Sequence, residues 1–202
     1  ADTFYNIYIL YPGATGIDKE KVERLSEKYT NFSIKFIQIV NQFDNAFEIR
    51  GITTPAYYRL LIPELIPEWD KILYSDVDVI FRSDLSDICF NTDLGNCYMA
   101  GVRAPSGLNP NGNEYYEKVL KLNPDSIICS GNLIINSKLI NEDNLIPTFK
   151  KLALKNFKFQ DMDIINLACK DRIKYLPPWY CFTTTFIRYA VYNKDYLKRY
   201  YS

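Results

Sequence analysis

Short apolar runs alternate with amphipathic stretches along the chain, and their periods predict strands and helices in turn. Phe4 to Leu10 (FYNIYIL) is aromatic and β-branched, and Pro12-Gly13-Ala14-Thr15-Gly16 follows it, which predicts a strand ending in a turn. From Ile17, Val22, Leu25 and Tyr29 recur at helical spacing among Lys, Glu and Arg. Ser33 to Val40 (SIKFIQIV) alternates like a strand. Thr53-Thr54-Pro55 reads as a helix opening, with a capping residue before a first-turn proline, and Pro63 and Pro67 help to end that helix. Ile72 to Tyr74 predicts a core strand, as do the apolar runs within 96–104 and 127–136. Gly107 to Asn113 is loop chemistry. Helical patterns cover 115–122, 141–154 and 161–169, and Arg172 to Leu176 predicts a last strand. Strands that alternate with helices imply an α/β fold with a mainly parallel sheet.

Composition narrows the chemistry. The 202 residues suit one domain, and 48% are apolar, enough for a sizeable core. Lys plus Arg equals Asp plus Glu at 24 each, which argues against a dedicated nucleic-acid binder with its large cationic surface. No run approaches the ~20 apolar residues of a membrane-spanning helix. No signal peptide is read at the start, and Ala1-Asp2-Thr3 leads straight into strand pattern, so the expected natural start lies upstream. The five cysteines are widely spaced with no Cys-x-x-Cys, which favours reduced thiols in a cytoplasmic setting over a disulfide framework. The chain has no histidine, so a Ser-His-Asp triad, a Cys-His pair and a His-Glu-x-x-His zinc site are all excluded. Its chemistry must run on carboxylates, Lys, Arg, Tyr or a carboxylate-bound cation.

The strongest candidate is Asp76-Val77-Asp78, at the end of an apolar run and before Val79-Ile80-Phe81. On an extended strand, residues i and i+2 share a face, so the two carboxylates are expected to converge on one hard divalent cation. Ligand crevices of open α/β sheets lie at such strand ends. Arg59 sits among apolar and aromatic neighbours, where a cation needs an anionic partner or a bound phosphate. Asp161 and Asp163 form a second acidic pair at a helix start, a position that favours negative charge for structural reasons alone. Gly131, between Ser130 and Asn132 in a strand pattern, suggests a close approach of backbone or ligand, or a bulge.

Taken in order, TTPAYYRLLIPELIP (53–67), DKILYSDVDVIFRSDLSDIC (70–89), CSGNLIIN (129–136) and FQDMDIINLACKDRIKYLP (159–177) resemble glycosyltransferase family 8, which includes bacterial lipopolysaccharide galactosyl- and glucosyltransferases and, more distantly, glycogenin. The resemblance implies a GT-A type nucleotide-sugar-binding fold, a mixed, mainly parallel sheet flanked by helices. It also implies a UDP-hexose donor, Mn²⁺ or Mg²⁺, a saccharide or glycolipid acceptor such as a cell-surface glycan, and retention of configuration. By position, Asp76 and Asp78 would hold the metal and Val77 would lie near the nucleotide. Arg59 would reach the donor sugar and phosphates, Ser130 and Gly131 would line the sugar pocket, and Asp161 and Met162 would face the sugar. Cys129 and Met162 depart from the family, which commonly has a polar residue near the first position and glutamine at the second. The uracil-gripping first strand and a late histidine motif are not found, so residues 1–202 are expected to be one GT-A-like domain truncated at both ends. A catalytically impaired binding module and a sugar-nucleotide nucleotidyltransferase are the alternatives. The cationic, tyrosine-rich stretch from Arg188 to Ser202 is read as a solvated helix or a contact with the inner face of the membrane.

Overall fold

The computed structural model describes residues 3–13, 17–40, 42–48, 53–105 and 113–187. The tail at 188–202, and most of the loop at 107–113, lie outside them. Strand β1 (Tyr5–Tyr11), helix α1 (Lys19–Lys28) and strand β2 (Phe32–Gln38) form a right-at-the-start β–α–β unit, and the two strands pair in parallel from Tyr5↔Phe32 to Tyr11↔Gln38. Asp18 caps α1 by accepting from the Lys21 backbone N–H at 3.0 Å. The predicted stripe on α1 is not covered: Val22 is half-buried, and Leu25 and Tyr29 are exposed.

Residues Thr54–Leu61 form a 3₁₀ helix that passes directly into α2 (Ile62–Leu65). Thr53 makes no side-chain cap. Glu48 reaches back instead and accepts from the Thr54 N–H at 2.6 Å and its hydroxyl at 2.8 Å. Pro63 opens the α turn rather than ending a helix, because proline lacks only an N–H that the first turn does not use. Tyr57, Leu60, Leu61 and Ile62 are buried in the main core.

Strands β3 (Lys71–Ser75), β4 (Met99–Arg103), β5 (Ile128–Asn136) and β6 (Ile173–Leu176) form a second sheet in the order β3-β5-β4-β6. The sheet is mixed and flanked by helices, as expected, but less of it is parallel than the alternating pattern implies. β5 runs antiparallel to both β3 and β4, and β4 and β6 are parallel. The cause lies in the connection. Between β4 and β5 the described chain has only a short π-helical segment (Tyr115–Leu120) and a 3₁₀ turn (Pro124–Ser126). The chain therefore re-enters where β4 leaves, with Arg103 opposite Ile128.

Helices α3 (Ser86–Asn91), α4 (Ser137–Glu142), α5 (Ile146–Ala153) and α6 (Gln160–Ala168) complete the frame. The helical pattern at 141–154 is two helices, broken where Asn144 adopts φ 51°. Asn166 docks α6 onto the sheet. Its amide accepts from the Ile128 N–H at 2.9 Å and donates to the Ile128 and Met162 carbonyls at 3.0 and 2.8 Å. Among the described residues, no helix is long and apolar enough to cross a membrane.

Candidate active site

β3 ends at Ser75, so Asp76 and Asp78 do not share one face of an extended strand as expected: Val77 and Asp78 lie in a turn beyond the sheet. Only Asp76 continues the ladder, its N–H bonding the Gly131 carbonyl at 2.9 Å. Val77 is fully exposed and Asp78 is exposed, because the backbone turns outward once β5 no longer pairs with it.

Arg59 is the centre of the site. It is 7% exposed, and all three of its nitrogens are engaged. Nε donates to the Ala56 carbonyl at 2.9 Å, Nη1 to the Ser130 carbonyl at 2.5 Å, and Nη2 lies 2.8 Å from Asp76 Oδ1. Asp161 Oδ2 stands 3.3 Å from Nε. The guanidinium lies over the Tyr74 ring at 4.7 Å, and the Tyr74 hydroxyl donates to Asp76 Oδ1. Arg59 thus joins the 3₁₀ helix, the end of β3, the middle of β5 and the start of α6 at one point. Each terminal nitrogen keeps a second N–H, since the guanidinium carries five donors.

The start of α6 aims Asp161 inward. Gln160 adopts φ 46°, a left-handed conformation that costs a non-glycine residue about 1–2 kcal/mol. Its amide bond to the Phe47 carbonyl at 2.9 Å helps to offset that cost. Burial pushes the Asp161 carboxyl up from its ordinary pKa, against the Arg59 charge and a Ser130 hydrogen bond. Asp161 Oδ2 is buried without a hydrogen-bond donor, because the Nε hydrogen goes to Ala56. Asp163 lies apart from Arg59 and is a helix-start residue, accepting from the Phe159 N–H at 2.9 Å and the Tyr115 hydroxyl at 2.7 Å. Burial raises its pKa too.

Gly131 has a steric reason to be glycine. A Cβ there would lie 2.9 Å from Asp76 Oδ2 and 3.7 Å from its Cγ. Both side-chain contacts of Asp76 fall on Oδ1, so Oδ2 faces that space. Gly131→Ala is therefore expected to displace the Asp76 carboxylate and to cost about 1–3 kcal/mol, as overpacking does. Urea unfolding measures the loss, and a variant as stable as the parent would show that the carboxylate moves freely.

Of the predicted residues, Arg59, Asp76, Ser130, Gly131 and Asp161 come together. Val77 does not point into the cluster, and Met162 is half-buried against the core with its carbonyl held by Asn166. Sequence reasoning missed Tyr74, although its i, i+2 relation to Asp76 was visible, and it missed Cys181. The neighbouring Cys129 lowers the Cys181 pKa against burial and against the Asp76 and Asp78 charges, and Cys181 together with burial raises that of Cys129. No group of three or more Cys, Asp or Glu side chains converges to hold a metal among the described residues. A hollow of about 440 Å³, lined by Glu64, Asn141, Asn144, Ile146, Pro147 and Lys150, shares no residue with the cluster.

The model of glycosyl transferase family 8 matches residues 1–200. A candidate glycosyltransferase of Haemophilus influenzae is 29% identical over 187 residues, 89% of this chain and 55% of that protein, so the chain spans about half the length of this relative. Glycosyltransferase GlyE of Streptococcus pneumoniae is 30% identical over 63% of this chain and 28% of its own. The bifunctional glycosyltransferase WbbM aligns with a TM-score of 0.73 at 25% identity, over 88% of this chain and 34% of its own. The galactosyltransferase LgtC, solved with donor and acceptor sugar analogues, aligns at 0.74 and 22% identity over 98% and 72%. These likenesses establish a GT-A fold, and with the family match along almost the whole sequence, the chain belongs to glycosyl transferase family 8.

Proposed function

We propose that this chain carries the core of a retaining hexosyltransferase that moves a hexose from a UDP-sugar to a saccharide or glycolipid acceptor with the help of Mn²⁺ or Mg²⁺. The observation that supports this most is the meeting of Asp76, Ser130 and Asp161 around one buried arginine at the end of β3. Hard divalent cations in nucleotide sites are held by one or two carboxylates, and water and substrate phosphates fill the other positions. Asp76 and Asp78 fit that description: both are oxygen donors, Oδ2 of Asp76 is not engaged by a side chain, and Gly131 keeps space beside it. A cation held there neutralises charge on the departing diphosphate.

The remaining N–H groups of Arg59 bind a phosphate oxygen or a sugar hydroxyl, where charge-assisted bonds are strongest. The unsatisfied Asp161 Oδ2 is the kind of buried acceptor that a sugar hydroxyl completes. Bare backbone at Gly131 lets the sugar approach β5. The acceptor hydroxyl then attacks from the face that UDP leaves.

Calorimetry and turnover on the full-length protein test this. UDP is expected to bind only with Mn²⁺, and Asp78→Ala is expected to lower UDP-sugar turnover by about a hundredfold, at the upper end of what even outer partners of metal ligands cost. Unchanged turnover in that variant would reject the metal role. Metal-dependent UDP binding without turnover of any UDP-hexose would point to an impaired binding module, a reading favoured by the prior engagement of Asp76 Oδ1 with Arg59 and Tyr74.

A further inference from the structure

The rim beside the cluster carries large apolar side chains that the transfer described above does not use. Two segments build it, and β5 brings them together. The Asp76 N–H bonds the Gly131 carbonyl just past β3, and the next residue of β5, Asn132, donates from Nδ2 to the Tyr180 carbonyl. The turn after Asp76 therefore leaves the sheet beside the 3₁₀ turn Pro178–Tyr180. The chain returns to the same place in α3, where Ile88 packs on one apolar cluster with Tyr180, Cys181 and Phe186. From the first segment Val77, Ile80 and Phe81 stand in water, Ile80 at 88% exposure. From the second, Trp179, Phe182 and Ile187 do so, Trp179 at 69%. Phe182 is anchored as well as exposed, since its ring stacks on the buried Phe186 with centroids 6.0 Å apart and planes at 12°. Single exposed apolar residues are ordinary, but six on two adjoining segments mark an interaction surface.

The residue types select the occupant. Val77 and Ile80 are aliphatic and lie in a stretch, residues 76–85, that has neither helix nor strand. They offer no ring to stack on a sugar and no group to bond a polar partner. Tryptophan joins an apolar body to one N–H, the combination that sits at the boundary between lipid headgroups and acyl chains. Beyond Ile187 the sequence continues with Arg188, Lys194, Lys198 and Arg199 against one anion, Asp195. Cations adjoining apolar side chains favour an anionic lipid surface. We infer that this rim docks on an anionic lipid bilayer, with side chains of 77–81 and 179–187 entering the headgroup region and the cluster facing an acceptor that is itself lipid-linked. Docking does not need the transfer reading; only the lipid-linked acceptor rests on it.

The full-length protein is mixed with vesicles of phosphatidylcholine and phosphatidylglycerol, and binding is read by co-sedimentation and by tryptophan emission. The difference between the parent spectrum and that of Trp179→Phe isolates the Trp179 emission. Vesicles are expected to shift it to the blue, and Trp69→Phe is expected to keep the shift. Ile80→Asp is expected to weaken vesicle binding about tenfold, the change when one aliphatic side chain no longer leaves water. Phe182→Ser repeats the test from the other segment, so one poorly folding variant does not remove it. Leu25→Ser, at an exposed apolar position on α1, is expected to bind as the parent does, and an equal loss there overturns the assignment to this rim. Sedimentation with an unchanged Trp179 emission overturns it too, because the cationic stretch alone would then hold the vesicle. A Trp179 emission already blue without vesicles, and unmoved by them, overturns docking in favour of cover by the rest of the longer protein. A dimer that Ile80→Asp dissociates, with no vesicle binding, overturns it in favour of a second copy. Turnover of a vesicle-borne acceptor is expected to fall in Ile80→Asp while turnover of a soluble saccharide stays; an equal effect on both overturns the lipid-linked acceptor alone. Vesicle binding with no turnover of either overturns the proposed function and leaves docking standing.

Discussion

Arg59→Ala is expected to destabilise the chain by about 3–5 kcal/mol, the range for removing one partner of a buried ion pair. The guanidinium faces two carboxylates, and Asp161 is almost fully buried, so its removal leaves that charge without a cation. The Ser130 and Ala56 carbonyls lose a donor as well. The deficit must depend on pH. The Asp161 carboxyl already sits above its ordinary 3.8, and Arg59 is the strongest influence holding it down, so the variant raises it further. A carboxyl whose folded pKa is raised contributes most below its unfolded value, and the contribution is lost as pH rises through the folded value. The penalty should therefore be smallest in acid and grow as pH rises through the folded Asp161 values, which lie above 3.8. Urea unfolding across that range measures it, and a pH-independent penalty would show that Asp161 does not depend on Arg59. Lysine should rescue little, because a single ammonium cannot serve acceptors spread around a planar fork.

Asn166→Leu is expected to cost about 2–5 kcal/mol. The change strands both polar groups of Ile128 in the core, and an unsatisfied buried group costs about 1–3 kcal/mol. The side chains are close in volume, so the loss reports hydrogen bonding rather than a cavity. Denaturant unfolding gives the energy, and faster hydrogen exchange of the Ile128 amide would locate it at the start of β5. Protection there equal to the parent would mean that other contacts hold α6 to the sheet. Asn166→Asp should be worse near neutrality than in acid, since it places a carboxylate where two carbonyls now accept.

Most elements were legible because they depend on local pattern. The aromatic and β-branched runs became β1 to β6 within a few residues, and the helical repeats after residues 17 and 160 became α1 and α6. What failed was what local pattern cannot carry. The helix expected across 141–154 breaks at Asn144, where neither glycine nor proline marks a stop. The direction of β5 follows from where the chain re-enters the sheet, which no period encodes. The stripe of α1 promised a covered face, yet Leu25 and Tyr29 are exposed, since periodicity shows that a face exists but not that something packs on it.

The site divides in the same way. The sequence by itself determined which residue types the site offers: these residues hold no histidine, and an acidic turn after a core strand, an arginine among apolar neighbours and a glycine within a strand made carboxylates and a cation the expected chemistry. Only the tertiary structure decided which carboxylates act together. Asp161 joins Arg59 while Asp163 caps a helix, although they are two residues apart, because the left-handed turn at Gln160 aims one inward and the Phe159 N–H takes the other. Residue types and periods are written along the chain. Which charges share one buried space depends on how strands and helices far apart in sequence pack together, and that contact has no local signature.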